Sequence, residues 1–459
     1  MKTTTNVLTL LTFIFLCFPS FLYSQDDSLL IKKVYTESLT GGMSYENLRY
    51  LCKEIGPRLS GSDNAEKAIQ WVKKELESYH LDSVWLQPVM VPKWVRGAKE
   101  SAFILGKNGK IKVEVTSLGN SIGSGKKGVK GEIIEVSSLE DLQSRKQEEI
   151  EGKIVFINES MDLSLINTSD MYGKSAIIRY KGPGDASKLG AIGVVVRSLN
   201  TSNDAYPHTG AMDYGLNVRK IPAIAISTRD AELLSSQIKN EPGLQFYLRN
   251  YSAMEGEVES FNVIGQVNGS EKPDEIIVFG GHLDSWDLAE GAQDDGAGTI
   301  HAIEAMRLLK NNYSPKRTLR VVLFINEENG LAGGKEYARI AEEKSEKHIA
   351  ALESDSGGYL PQGFNIDASA GTIKKIQSWK PFLDDYKLFH VEKGYGGADI
   401  GPLKLQNVPL IGLLVSDQRY FEMHHSALDK FEIVNRRELE LGSAAFASMI
   451  YLIDQYGLD

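Results

Sequence analysis

The chain has 459 residues, 42% of them apolar and 24% charged, with a net charge of −10. That length supports two or three domains and a large core. The acidic balance and the lack of a basic stripe argue against a nucleic-acid partner, and charge of this size bears on solubility more than on substrate.

Met1-Lys2 opens the chain, an apolar run covers 7–18, and Pro19 and Ser24 follow. A positive start, about a dozen apolar residues and a small residue near a cut site mark a signal peptide over 1–24, with cleavage near Ser24. The run falls short of the ~20 residues a membrane span needs, and no later stretch is long enough. The expectation is an exported protein, secreted or periplasmic, without a span after the leader is removed. Cys17 and Cys52 are the two cysteines; loss of the leader leaves Cys52 alone and no intrachain disulfide.

Residues 28–79 read as helical. Ser62-Asp63 can cap a segment in which Ile69, Val72, Leu76 and Tyr79 recur at helical spacing. A strand is predicted over 84–91, then two strands over 101–118 around Asn108-Gly109, a hairpin signal. Glycines at 119, 123, 125, 128 and 131 suggest an exposed connection. Short apolar runs at 132–136, 153–157, 189–196 and 221–227, with intervening helices, suggest an inserted domain over 119–257 with its own small sheet. From 261 onward strands and helices alternate: strands at 276–279, 318–325, 349–352 and 408–415, helices at 299–309, 334–344, 371–386 and 438–456. Such alternation predicts an α/β fold, a mixed and mostly parallel central sheet flanked by helices. The larger domain would comprise 25–118 and 258–459.

In a mostly parallel sheet the carboxyl ends of the strands share one edge, and ligands bind there. Metal-type residues cluster after the predicted strands: His282 and Asp284, Asp294-Asp295, Glu327-Glu328, Asp355, and His424-His425 with Asp429. Singly each is weak. A lone His after a strand is more often structural, Glu-Glu is usually a solvated pair, and Asp before Gly usually marks a turn. Their joint placement is the signal. Two imidazoles and several carboxylates without a thiolate suit zinc or a similar divalent ion, as a pair. Two divalent cations set against Asp294, Glu328, Asp355 and one hydroxide, with His282 and His425 neutral, leave the site uncharged. One ion alone would leave excess negative charge at close range. Asp284 could accept the second ring N–H of a ligating histidine, and Asp429 could do so at the other end. Glu327 is then free to take a proton from water and deliver it to a leaving amine.

The motifs GGHLDS (280–285), DDGAG (294–298), NEENG (326–330), ESDSG (353–357) and HHSALD (424–429) resemble those of the co-catalytic zinc exopeptidases, a family of secreted aminopeptidases and glutamate carboxypeptidases. GHLDSWD at 281–287, PKRTLR at 315–320 and YPHTG at 206–210 are similar to its carboxypeptidase Q branch. The resemblance runs from about Asn47 to the C-terminus. It implies two zinc ions per chain, His282 and Asp355 holding one, Glu328 and His425 the other, Asp294 bridging, and Glu327 as general base and acid. It also implies that the insert is similar to a protease-associated domain shaping the cleft, and that the protein is a homodimer. Relatives often place a tyrosine where His424 stands; His424 then either polarises the substrate carbonyl or merely packs. His208 could reach the cleft from the insert or sit on a surface loop, and Asp399 could anchor a nearby loop or form a simple turn.

The expected activity is hydrolysis of dipeptides or short peptides by a metal-bridging hydroxide. Three alternatives stay open: an aminopeptidase acting on longer peptides, a single-zinc cyclising acyltransferase, and a non-catalytic receptor or binding module on a peptidase fold. The intact ligand set and base weigh against the last two.

Overall fold

The computed structural model describes residues 25–458; the leader expected over 1–24 lies outside the described residues. Two eight-stranded sheets are present. The first runs, from edge to edge, Ser83–Val95, Ala253–Val267, Arg317–Phe324, Lys272–His282, Lys347–Glu353, Leu410–Val415, Pro361–Asp367 and His390–Lys393. The four strands in the middle of this order pair in parallel. Antiparallel neighbours flank them on both sides.

Parallel strands covered on both faces read as continuous apolar runs. Arg317–Phe324 is buried at every position and apolar without a break only from Val321 to Phe324; Arg317 and Arg320 before it pair with Glu275 and Glu346. Alternate side chains of Lys272–His282 serve the two faces. Ile277 and Phe279 join the core under the helices Ala297–Asn312 and Arg436–Tyr456, while Val278 packs with Tyr337 and Ala338 of Ala332–Glu343. Phe279 and Phe446 meet edge to face with centroids 6.2 Å apart, a favoured geometry for aromatic pairs. Ser62 caps Asp63–Ser78 by accepting the Ala65 amide, as the spacing predicts. The helical reading over 28–79 is broken at Gly56, whose φ is +81°, and at Pro57, which cannot continue a helix.

The second sheet runs Gly109–Val113, Ser101–Gly106, Gln245–Arg249, Val129–Val136, Ile154–Ile157, Gly193–Arg197, Ala223–Ile226 and Val115–Ser117. The Asn108-Gly109 hairpin forms, with Gly106 opposite Gly109. The sequence groups 101–118 with the larger unit, but Ser101–Gly106 pairs with Gln245–Arg249, and Val115–Ser117 pairs with Ala223–Ile226. We therefore propose an inserted unit running from the end of Ser83–Val95 to the start of Ala253–Val267, the antiparallel pair that carries the chain out and back. Arg96, just past this exit, forks onto Asp287 at 2.6 and 2.9 Å and donates to the Ser117 carbonyl at 2.8 Å. The fork ties the insert to the loop that follows His282. Among the described residues no helix is long and apolar enough to cross a membrane.

Candidate active site

His282 is the last residue of its strand, Glu327 follows Phe324 by three positions, and Asp355 follows Glu353 by two. These three obey the strand-end rule. Asp294 does not: it lies in the turn Ala292–Gly296, before the helix Ala297–Asn312. His424 and His425 lie beyond the short helix Tyr420–Met423, well past Leu410–Val415.

All five candidate ligands nevertheless converge. His282 Nε2 lies 3.2 Å from Asp294 Oδ1 and 3.6 Å from Asp355 Oδ1. His425 Nε2 lies 3.1 Å from Asp294 Oδ2 and 3.1 Å from Glu328 Oε2. Asp294 Oδ2 and Glu328 Oε2 are buried and receive no hydrogen bond. Unpaired carboxylate oxygens in a dry site are costly. A tetrahedral ion bound at ~2.0 Å separates its ligand atoms by about 3.3 Å, close to these spacings. The donor set thus fits divalent cations, with Asp294 common to two candidate groups, one containing His282 and Asp355 and the other containing His424 and His425.

The electrostatics agree. Burial pushes Glu328 well above the usual carboxylate range, with the Asp294 charge adding to it. Burial likewise pushes Glu327 up to about 8; the charge of His282 opposes the rise, and Asp355 and Asp294 add to it. Burial disfavours a protonated His282, but Asp294 and Asp355 beside it hold its pKa well above the ordinary value. Several carboxylates in one buried site need positive charge to stay ionised together, which divalent cations would supply.

Asp284 and Asp429 act differently from the sequence expectation. His282 Nδ1 faces the backbone carbonyl of Asp284 at 3.0 Å, while the Asp284 carboxylate is 4.0 Å away. That carboxylate accepts the Glu327 amide at 3.1 Å, fixing the loop of the general-base candidate. Asp429 does not touch the His425 ring. It accepts the amides of Gln293 at 2.7 Å and Asp294 at 3.1 Å. Asp429→Ala would strand two buried amides at about 1–3 kcal/mol each. Urea unfolding should show that loss, and Asp429→Asn, which keeps one acceptor, should lose less.

His424 stacks on His425 with ring centroids 3.5 Å apart, and its Nε2 lies 3.5 Å from Asp294 Oδ2. His208 is buried, with neither ring nitrogen hydrogen-bonded, so it is not on a surface loop. Burial lowers its pKa to about 3, the charge of His425 adding to the shift. Asp399 is also buried, both oxygens lacking donors, and burial followed by the charge of Glu353 raises its pKa.

Sequence reasoning assigns no role to four contributors. Asp295 accepts the amides of His282 and Gly298, at 3.0 Å each. The amide of Trp286 donates to Glu328 Oε1 at 3.0 Å, aiming the other oxygen at His425. Tyr172 and Arg179 come from the inserted unit, on the helix Thr168–Lys188. Together with Asp294, Glu327 and His425 they line a cleft of about 960 Å³. The only sequence signal for Asp295 was its place beside Asp294.

A model of peptidase family M28 matches residues 262–450. Carboxypeptidase Q of Homo sapiens is 34% identical over 412 residues, covering 89% of this chain and 85% of that protein, and carboxypeptidase Q of Bos taurus gives the same values. Among solved structures, a peptidase M28 precursor from Shewanella amazonensis SB2B superposes with a TM-score of 0.89 at 33% identity, covering 94% of this chain and 97% of that one. A zinc aminopeptidase from Bacillus subtilis shares the fold, with a TM-score of 0.66 at 18% identity over 90% of this chain and 95% of that one. Sequence likeness across nearly the whole described chain joins a fold that gathers the acidic and imidazole groups at one sheet edge, and on these grounds the chain belongs to peptidase family M28.

Proposed function

We propose that the protein is an exported exopeptidase holding two zinc ions and hydrolysing dipeptides or short peptides. The observation that carries this reading is Asp294, whose two oxygens face His282 on one side and His425 on the other. His282 and Asp355 would hold one ion, His425 and Glu328 the other, with Asp294 shared. When bound, such a pair polarises a scissile carbonyl and lowers the pKa of water. Glu327 lines the cleft beside the ligands without being one of them. It takes a proton from the attacking water and passes it to the leaving amine. His424 faces the same centre and contacts the substrate carbonyl. Export rests on the leader pattern at 1–24, and a homodimer on the motif resemblance.

The likeness to carboxypeptidase Q over 89% of the chain favours substrates with a free carboxyl end. A panel of free, amino-blocked and carboxyl-blocked dipeptides, with longer amino-free peptides alongside, tests the choice. Unblocked dipeptides should be cleaved and blocked ones spared. Comparable kcat/KM on long amino-free peptides would instead make the protein an aminopeptidase.

A further inference from the structure

The second nitrogen of His425 points away from the carboxylate cluster and into the inserted unit. His425 Nδ1 lies 3.2 Å from the Thr209 carbonyl, and the Thr209 amide donates back to the His425 carbonyl at 2.9 Å. His425 needs this grip. Its φ is +59°, a left-handed conformation that costs a non-glycine residue roughly 1–2 kcal/mol. One residue of the insert therefore holds both the backbone and the ring of a candidate ligand.

The Thr209 hydroxyl donates to the Ser117 carbonyl at 2.7 Å, and the Thr209 carbonyl is taken by Arg179. Its Nη1 donates to the Thr209 carbonyl at 3.1 Å and its Nη2 to the Tyr172 hydroxyl at 2.6 Å, while Nε is buried without an acceptor. Among the described residues no carboxylate forms an ion pair with this buried guanidinium. The Tyr172 ring, its centroid 5.4 Å from Cζ, gives partial support, but a buried charge without a carboxylate partner is costly to retain, so the residue calls for a reason beyond packing. The neighbouring backbone is shaped around it: a Cβ at Gly210 would sit 2.1 Å from Arg179 Cζ, and Gly210 has a φ of +139°. A carbonyl oxygen has two lone pairs; Arg179 takes one and His425 the other.

We propose that Arg179 is a positioning residue for His425: it fixes the Thr209 carbonyl, which holds the proton on Nδ1 and turns Nε2 toward Asp294 and Glu328. The inserted unit is then part of the second metal position as well as a wall of the cleft. This rests on the two-ion reading above. Partners of a ligating histidine's outer nitrogen typically contribute 10–100-fold in metal affinity.

The test is zinc titration of the metal-free protein against a chromophoric chelator, with melting of the metal-free form followed by circular dichroism. For Arg179→Ala we expect one of two ions to bind 10–100-fold more weakly, with the other unchanged. Arg179→Lys, which can satisfy one acceptor, should recover part of the loss. Gly210→Ala keeps the arginine but displaces its guanidinium, and should reproduce the selective loss; it stands in if Arg179→Ala does not fold. Wild-type affinity for both ions in Arg179→Ala overturns the proposal. So does equal weakening of both ions in step with a lower melting temperature, which is what a purely structural role would give. A wild-type protein that takes up fewer than two ions overturns the functional reading instead, and the positioning role with it.

Discussion

Replacing Glu327 by Gln is expected to lower kcat by about 10²–10⁴-fold, the usual contribution of a general acid and base, while zinc content stays at the wild-type value. The amide of Glu327 is fixed by Asp284, and its side chain lines the cleft. Glutamine keeps that shape and removes the proton carrier. Burial already disfavours a charged Glu327, with the charge of His282 opposing and those of Asp355 and Asp294 adding to the rise, so a neutral glutamine there should not weaken the fold. A dipeptide assay at saturating substrate, paired with metal analysis of the same sample, reads both quantities. Near-normal kcat would remove Glu327 from the proton shuttle. Loss of zinc would make it a ligand instead.

Replacing Asp294 by Ala should do more. Among the described residues its carboxylate is the one that pairs with both His282 and His425. On the proposed two-ion scheme each metal position would lose a ligand, and the remaining carboxylates would lose the cations that offset their repulsion. Zinc per chain should fall below one, and kcat/KM should drop beyond the roughly 10–100-fold range of outer-shell changes. Asp355→Ala, by comparison, should weaken the His282 position and leave the His425 position occupied. A variant lacking Asp294 that still carries two tightly held ions would break the shared-carboxylate scheme.

Much of this centre can be read from the chain because its supports are strands, and strands announce where they end. His282, Glu327 and Asp355 each follow an apolar run closely, so their meeting at one edge is a matter of topology. Asp294 is harder, since the turn Ala292–Gly296 follows no strand directly and only its Asp-Asp-Gly composition marks it. Asp284 and Asp429 show the limit. Their proximity to the ligands is evident from spacing, but both turn to main-chain amides rather than to imidazoles, and spacing does not record which way a carboxylate faces. Tyr172 and Arg179 were hidden for another reason. Their helix contains Gly173, Gly182, Pro183 and Gly184, residues that ordinarily break a helical pattern. Tertiary packing holds Thr168–Lys188 together regardless, with Met171, Ile178 and Ala186 buried along it. The shift we propose in the edge of the insert has a related origin: an Asn-Gly turn declares that two strands pair with each other, not which sheet will take them up.

In the long antiparallel pair that bounds the insert, Val95 lies directly opposite Ala253. The whole second sheet therefore hangs from a single doorway, where a plain two-residue turn would have closed the hairpin. Such an arrangement makes the proposed insert a cassette: its removal would leave the strand order of the body beneath unchanged. What would not come away so freely is the set of contacts that cross to the body, from Arg96 to Asp287 and from Thr209 to His425.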